Sequence, residues 1–350
     1  MMGYVKNYWI LLDMVTKSLG LLSAWKKTEP LLKSRQRIPI KMPKSIYIRN
    51  FHWDDLKETI TFTNKVNNND KTPRELTESL FVQSTQILGL CVQSDFFVAF
   101  NAAKSMVGFM KIIKEPKISR HILEYSITNN QDRVEVFGSL INKAHTYIRK
   151  TNLKSIHIQV DSNDLKIIEF LKTQHYSKIK TYWTYVWKTK PLEEMNVPDG
   201  FCLTHFVKSK DEAPLTSLQN QSFETHWGFA PNSIEEISAR VSMERNYPKG
   251  IIILKDRGRF AGYNWTQIAR KCDQSVGWIS MIGIHPDYRG RKLGKAIVLA
   301  GMHQLNNIGA SEIELEVDSD NKPATNLYLA LGFIEKSTTF WFERNNQPMN

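Results

Sequence analysis

The chain has 350 residues, 41% of them hydrophobic and 23% charged, which is ordinary for a soluble globular protein and long enough for two or three domains. Its three cysteines, Cys91, Cys202 and Cys272, are odd in number and show no C-x-x-C spacing, which argues against a disulfide framework or a zinc site and fits the cytoplasm. The net charge of +12 is concentrated at one end: residues 1–50 hold ten Lys/Arg against two Asp/Glu, so +8 lies there and +4 in the other 300 residues. A nucleic-acid or anionic-membrane signal of that kind belongs to a tail and not to the body, so no nucleic-acid partner is expected.

In chain order, residues 1–43 form the basic tail. Its apolar stretch from Tyr8 to Trp25 is interrupted by Asp13 and Lys17, too broken for a membrane span or a signal peptide, and reads as a surface helix docked on the body. Residues 44–190 then alternate: a strand at "SIYIRNF", a helix from "HWDD", paired strands "DFFVAFN" and "SMVGFMKII", and a strand "HILEYSIT". A helix follows with Val136, Leu140, Ala144 and Tyr147 on one face, then "SIHIQV", a helix from Asp164 and the strand "TYWTYVWK". Residues 191–200, with two prolines in the segment and no periodicity, read as a linker. Residues 201–345 repeat the order: strand "FCLTHFV", two helices, the strands "GIIILKD", "RFAGYNWTQIA" and "SVGWISMIGI", a helix stopping at Gly309, "SEIELEVD", a helix and "TTFWFER".

The two halves match in detail. "SIHIQVDSND" parallels "EIELEVDSDN", "FLKTQHYSK" parallels "YLALGFIEK", and "TYWTYVW" parallels "TTFWFER". Recurrence at one spacing is the mark of a tandem duplication.

The segment "IGIHPDYRGRKLGKAIV" asks for a physical explanation. Arg289, Arg291, Lys292 and Lys295 crowd the point where a strand hands over to a helix. The first turn of a helix leaves backbone N–H groups unpaired at the positive end of its dipole, and Gly290 and Gly294 let an anion come close. Together these features make a nest suited to a pyrophosphate. The spacing excludes a Walker loop and a G-x-G-x-x-G fingerprint. No His, Cys and carboxylate cluster at ligand spacing suggests a metal.

"HPDYRGRKLGKA" resembles the acyl-CoA loop of the GNAT (general N-acetyltransferase) superfamily, Q/R-x-x-G-x-G/A. Arg289 fills its first position, Lys292 stands where the first glycine would be, and Gly294 fills the last. "VDSDNKPATNLYLALGF" is similar to the superfamily's closing strand and helix. "NQSFETHWGF", "GYNWTQI" and "GWISMIGIHP" resemble the mycothiol synthase group of tandem GNAT proteins. The specific motifs cover about Gly200 to Arg344; over Lys44 to Lys190 the likeness is one of pattern alone. There "EYSITNNQDRVEVFG" takes the loop's place without its glycine pair, which implies a degenerate copy.

The resemblance implies an α/β fold of two tandem GNAT domains, each with a mixed, mainly antiparallel sheet flanked by helices. It implies acetyl-CoA or another acyl-CoA as donor, and an N-acetyltransferase that moves the acyl group by direct attack onto a primary amine of a small molecule or peptide. Coenzyme contacts are expected from Ile282, Gly283 and Ile284 on a splayed strand, from Arg289, Gly290, Arg291, Lys292, Leu293, Gly294 and Lys295 in the loop, and from Asn321 and Asn326. Asn321 would equally serve as a helix cap. Tyr328 takes the general-acid position, although Ala324, Leu327, Tyr328 and Leu331 also form an apolar face on which an aromatic is ordinarily core. The group's glutamate base is replaced by Trp278 and its substrate lysine by Gln267, which argues against mycothiol synthesis. Glu224 and His226 are the alternative bases. Trp227, Trp265, Gln267 and Trp278 are expected to shape an acceptor pocket. A non-catalytic acyl-CoA sensor is the rival reading. The protein is expected as a monomer or homodimer without stable membrane insertion.

Overall fold

The computed structural model describes residues 46–67, 75–130, 132–188, 191–271 and 274–346. The expected tail helix lies outside the described residues, as do Cys272 and Asp273. The first half runs β1 (Tyr47–Asn50), α1 (Leu56–Asn67), α2 (Glu78–Ile87), α3 (Val92–Asp95), β2 (Phe96–Phe100), β3 (Met106–Glu115), β4 (Arg120–Ile127), α4 (Arg133–Ile148), β5 (Ser155–Asp161), α5 (Leu165–Thr173) and β6 (Ser177–Lys188). The second half runs β7 (Phe201–His205), α6 (Glu212–Phe223), α7 (Ile234–Val241), β8 (Ile251–Asp256), β9 (Arg259–Lys271), β10 (Gln274–Ile284), α8 (Leu293–Asn307), β11 (Ala310–Asp318), α9 (Lys322–Ala330) and β12 (Ile334–Asn345).

The strands and helices expected from the patterns are present, α7 among them, and two helices, α2 and α3, were not foreseen. α2 begins where the Thr77 hydroxyl accepts from the Leu80 amide, and it buries Leu80 and Phe81 beside the polar Ser84 and Thr85. Those buried polar residues hide its apolar face from a periodicity reading. α7 carries a full capping box, with Ser233 and Glu236 each bonding the other's backbone.

The strands form one mixed sheet in the order β1-β2-β3-β4-β5-β12-β6-β11-β10-β9-β8-β7. Among the described residues, only the β4–β5 and β10–β11 pairs are parallel. Exchanging each strand for its counterpart six places along the chain reverses the order into itself, so the duplication appears as a pseudo-twofold axis between β12 and β6. The last strand of each half pairs across that axis: β12 lies against β5 (Thr339–Asn345 on Ser155–Asp161), and β6 lies against β11 (Tyr182–Lys188 on Glu312–Asp318).

Both parallel pairs part before their strands end. The β10–β11 ladder stops at Ile279–Leu315 and the β4–β5 ladder at Leu123–Ile158. In the first half the space beyond the parting is packed. Tyr125, Ile127, Val136, Phe137, Val160 and Ile167 belong to one buried cluster, with the Tyr125 and Phe137 rings 4.8 Å apart. In the second half it opens into a cleft.

Candidate active site

The cleft encloses about 420 Å³ and runs through the sheet where β10 and β11 part. On one side it is walled by α8 and α9, through Gly294, Val298, Ala324, Leu327 and Tyr328. Strand register fixes what lies on the other side. Glu316 and Asp318 share a face with Thr184 and Tyr182 of β6, and through them with Thr339 and Trp341 of β12 and Gln159 of β5. The segment after α6, Phe223 to Phe229, covers that face.

Ile282, Gly283 and Ile284 line the cleft, with β9 along their other edge. Gly283 has a packing reason as well: a Cβ there would meet the Tyr263 ring at 2.5 Å and Ser222 at 2.9 Å. The loop that follows turns at Gly290, φ +79°, with open space around it. Lys292, the residue in a glycine position of the motif, adopts φ +59° as the N-cap of α8, and no side chain caps that helix. The first-turn amides of α8 are therefore without a side-chain acceptor. Leu293 is buried in the cluster beneath α8.

The basic side chains of this loop divide. Arg289 lines the cleft and donates to the carbonyl oxygens of Ser222 (2.8 Å) and Ile284 (3.3 Å), tying α6 to the end of β10. Arg291 donates to the Asp287 carbonyl and stacks on Tyr288, and Lys295 pairs with Glu193 of the linker at 2.5 Å. Neither of these two side chains lines the cleft. Asn321 caps α9, its Oδ1 accepting from the Ala324 amide, and its side chain also lines the cleft. Asn326 does not reach the cleft. It sits two residues before Tyr328, about 200° around the helix, and is exposed.

Tyr328 is buried, belongs to the core cluster of α8, α9 and β11, and lines the cleft. Burial raises its pKa above the ordinary phenol range, so it remains protonated at neutral pH. His226 lines the cleft with its ring 4.8 Å from that of Phe223; desolvation, and then the Arg289 charge, lower its pKa and keep it neutral. Glu224 is exposed just past the end of α6 and does not line the cleft.

Of the aromatic residues expected around an acceptor, Trp227 alone lines this cleft. It stacks on His157 at 5.5 Å, meets the Trp341 ring at 5.7 Å with the planes tilted by 58°, and has Arg120 5.1 Å over its ring. Trp265 is core, its Nε1 donating to Asn246 at 2.8 Å. Trp278 and Gln267 are cross-strand partners that line a second cavity of about 330 Å³ with Asn246 and Tyr247. Trp278 precedes the parting of the strands, and a bulge between Ile279 and Met281 puts it on the face opposite Ile282 and Ile284. Arg120, Gln159, Tyr182, Glu316, Asp318 and Trp341 line the cleft and were not foreseen. The row of carboxylates at Glu312, Glu314, Glu316 and Asp318 on one strand face was the available signal.

Among the described residues no helix is long and apolar enough to cross a membrane, and no group of His, Cys, Asp and Glu is arranged to hold a metal.

Residues 213–333 match the family model described as "Acetyltransferase (GNAT) family". A mycothiol acetyltransferase of Thermomonospora curvata is 31% identical over 153 residues, 44% of this chain and 50% of that protein. One of Pseudarthrobacter chlorophenolicus is 25% identical over 235 residues, 66% of this chain and 72% of that protein. Apart from that longer match, the chain spans about half the length of the curated relatives it matches. Among solved structures, a GCN5-related N-acetyltransferase from Sphaerobacter thermophilus superposes with a TM-score of 0.70 at 15% identity, over 87% of this chain and 96% of that one. A tandem GNAT protein from the clavulanic acid biosynthesis pathway superposes with a TM-score of 0.67 at 15% identity, over 87% of this chain and 100% of that one. Residues 213–333 thus match the GNAT family, and the chain as a whole has the fold of tandem GNAT proteins.

Proposed function

We propose that the protein is an N-acetyltransferase whose second half, residues 201–345, binds acetyl-CoA and passes the acetyl group to a primary amine of a small molecule or peptide. The observation that carries this reading is the parting of β10 from β11 directly beside the uncapped start of α8 and the buried Tyr328. The residues suit such a donor. The amides of the first turn of α8, with Lys292 and Gly290, offer an anion seat for the pyrophosphate. The edge of Ile282 to Ile284 offers a strand-like partner for an extended pantetheine arm. The relatives named mycothiol acetyltransferase support the reaction class.

In this reading the amine nitrogen attacks the thioester carbonyl in a ternary complex. Backbone N–H groups of β10 stabilise the charge that develops on the carbonyl oxygen. The C–S bond breaks, and Tyr328, held protonated by burial, supplies the proton to the leaving sulfur. The first half, residues 44–190, gives up its own coenzyme space to Tyr125 and Phe137 and serves as a wall of the acceptor side.

The test is a thermal shift with acetyl-CoA together with thiol release across an amine library. Stabilisation by acetyl-CoA and thiol release with at least one amine are expected. Absence of stabilisation overturns the donor site, and stabilisation without turnover of any amine leaves an acyl-CoA sensor.

A further inference from the structure

The acceptor side of the cleft has a polarity of its own. Glu312, Glu314, Glu316 and Asp318 lie on one face of β11. Lys336 pairs with Glu314 and approaches Glu312 at 4.0 Å, and Lys180 pairs with Asp318 at 3.0 Å. Glu316 opens on the cleft. Its Oε1 accepts from the Gln159 amide at 3.0 Å and from the Thr339 hydroxyl at 3.4 Å, two neutral donors that fix the carboxylate's orientation. Gln159 also donates to Thr339 at 2.7 Å, which makes the support a closed triangle. Tyr182, Trp227 and Trp341 line the same cleft, with the Arg120 guanidinium over the Trp227 ring.

The duplication sharpens the point. Gln159 is the counterpart of Glu316 in the first half, so the pseudo-twofold axis pairs a carboxylate with its own amide homologue. The half that opens beside β10 has the carboxylate; the half whose space is packed by Tyr125 has the amide. A carboxylate in a cleft that is also lined by aromatic side chains is a seat for an ammonium group, attracted by charge and by the ring quadrupoles.

We propose that Glu316 is a catalytic residue that receives the acceptor's ammonium group and takes its proton, and that the acceptor is a cationic primary amine borne on a ring that packs against Trp227 and Trp341. This rests on the acetyl-transfer reading given above. The ammonium gives one proton to the Glu316 carboxylate, which passes it to solvent. The free amine forms the C–N bond, the C–S bond breaks, and the thiolate takes the phenol proton of Tyr328. The excess proton on nitrogen restores that phenol, so each turnover yields amide, thiol and one released proton.

The experiment compares wild type, Glu316→Gln and Glu316→Asp with acetyl-CoA and four probes: tyramine, glucosamine, putrescine and glycylglycine. Tyramine or glucosamine is expected to be used in preference to the two acyclic amines. Glu316→Gln should lower kcat/KM for the preferred amine by about 100-fold, the lower range for a general base. KM for acetyl-CoA should stay within twofold. The rise of rate with pH should move up to follow the free amine's own ionisation, and Glu316→Asp should recover part of the loss. Glu316→Gln within threefold of wild type with an unshifted pH profile overturns the inference, as does equal use of the acyclic amines. If the wild type uses none of the four, tryptophan fluorescence decides: quenching by tyramine that is lost in Glu316→Gln supports the site, and no quenching, or equal quenching in both, overturns it. Stabilisation by acetyl-CoA is measured in parallel, so failure of the donor reading is seen separately from failure of the Glu316 assignment.

Discussion

Tyr328 holds two positions at once. It packs in the cluster beneath α8 and α9, as its place on an apolar helical face requires, and it also reaches the cleft. Burial keeps its phenol neutral well beyond the ordinary range. A general acid fails when it loses its proton, so a raised pKa moves that failure to higher pH. The wild-type kcat should therefore not fall between pH 8 and 10, where an ordinary phenol would begin to ionise. Tyr328→Phe should lower kcat by about 100-fold or more while acetyl-CoA still stabilises the protein, since the ring and its packing are kept. A variant with unchanged kcat would return Tyr328 to a purely structural role. The motif made this residue legible; Glu316 was not, because its importance comes from Gln159 and Thr339, which lie 157 and 23 residues away in sequence. Trp278 and Gln267 were misplaced for a related reason: a one-residue bulge in β10 decides which face they join, and nothing in the local pattern marks it.

At the scale of elements, the loop into α8 shows what the departure from the motif costs. Lys292 holds φ +59°, a left-handed conformation that disfavours any side chain by about 1 kcal/mol. The chain accepts that strain at the N-cap of a helix with no capping side chain. Lys292→Gly should relieve it and raise Tm by about 1 °C at most, since glycine's added freedom in the unfolded chain offsets part of the gain, as measured by differential scanning calorimetry. The same change removes one exposed positive charge beside the anion seat. Affinity for acetyl-CoA should then weaken by no more than about fivefold, and the difference should shrink as salt is added. A larger loss that salt does not reduce would mean that the lysine bonds the coenzyme directly rather than contributing charge. The strand and helix order was readable because alternation and 3.6-residue periodicity are local. α2 escaped because Ser84 and Thr85 are buried on it beside Leu80 and Phe81, with Ser84 donating to the Phe81 carbonyl within the same helix.

At the scale of the whole molecule, the duplication predicts two similar sheets, and the exchange of β6 and β12 turns them into one. The sequence repeat reveals that each half ends in an aromatic strand, but both strands would satisfy either partner, so local pattern does not determine which edge each one takes. In the structure, Phe340, Trp341 and Phe342 of β12 lie against Gln159, Val160 and Ile158 of the first half, while Tyr185 and Trp187 of β6 join the core cluster of the second. The acceptor face of the cleft is a product of this exchange, since Tyr182, Trp341 and Gln159 come together only across it. Each half would have to strip the other's sheet to leave, exposing a buried edge on β5 and another on β11. The linker, by contrast, is irregular, with Met195 exposed, and crosses no ladder. A protease site inserted between Glu194 and Met195 and cleaved in the folded protein should therefore leave both fragments in one 1:1 particle on size-exclusion chromatography. Thermal unfolding of the nicked protein should remain a single transition. Acetyl transfer, if the cleft is its seat, should survive the cut. Fragments that separate under native conditions, or that unfold in two steps, would mean that the halves are independent domains and that the exchanged strands contribute little to holding the cleft together.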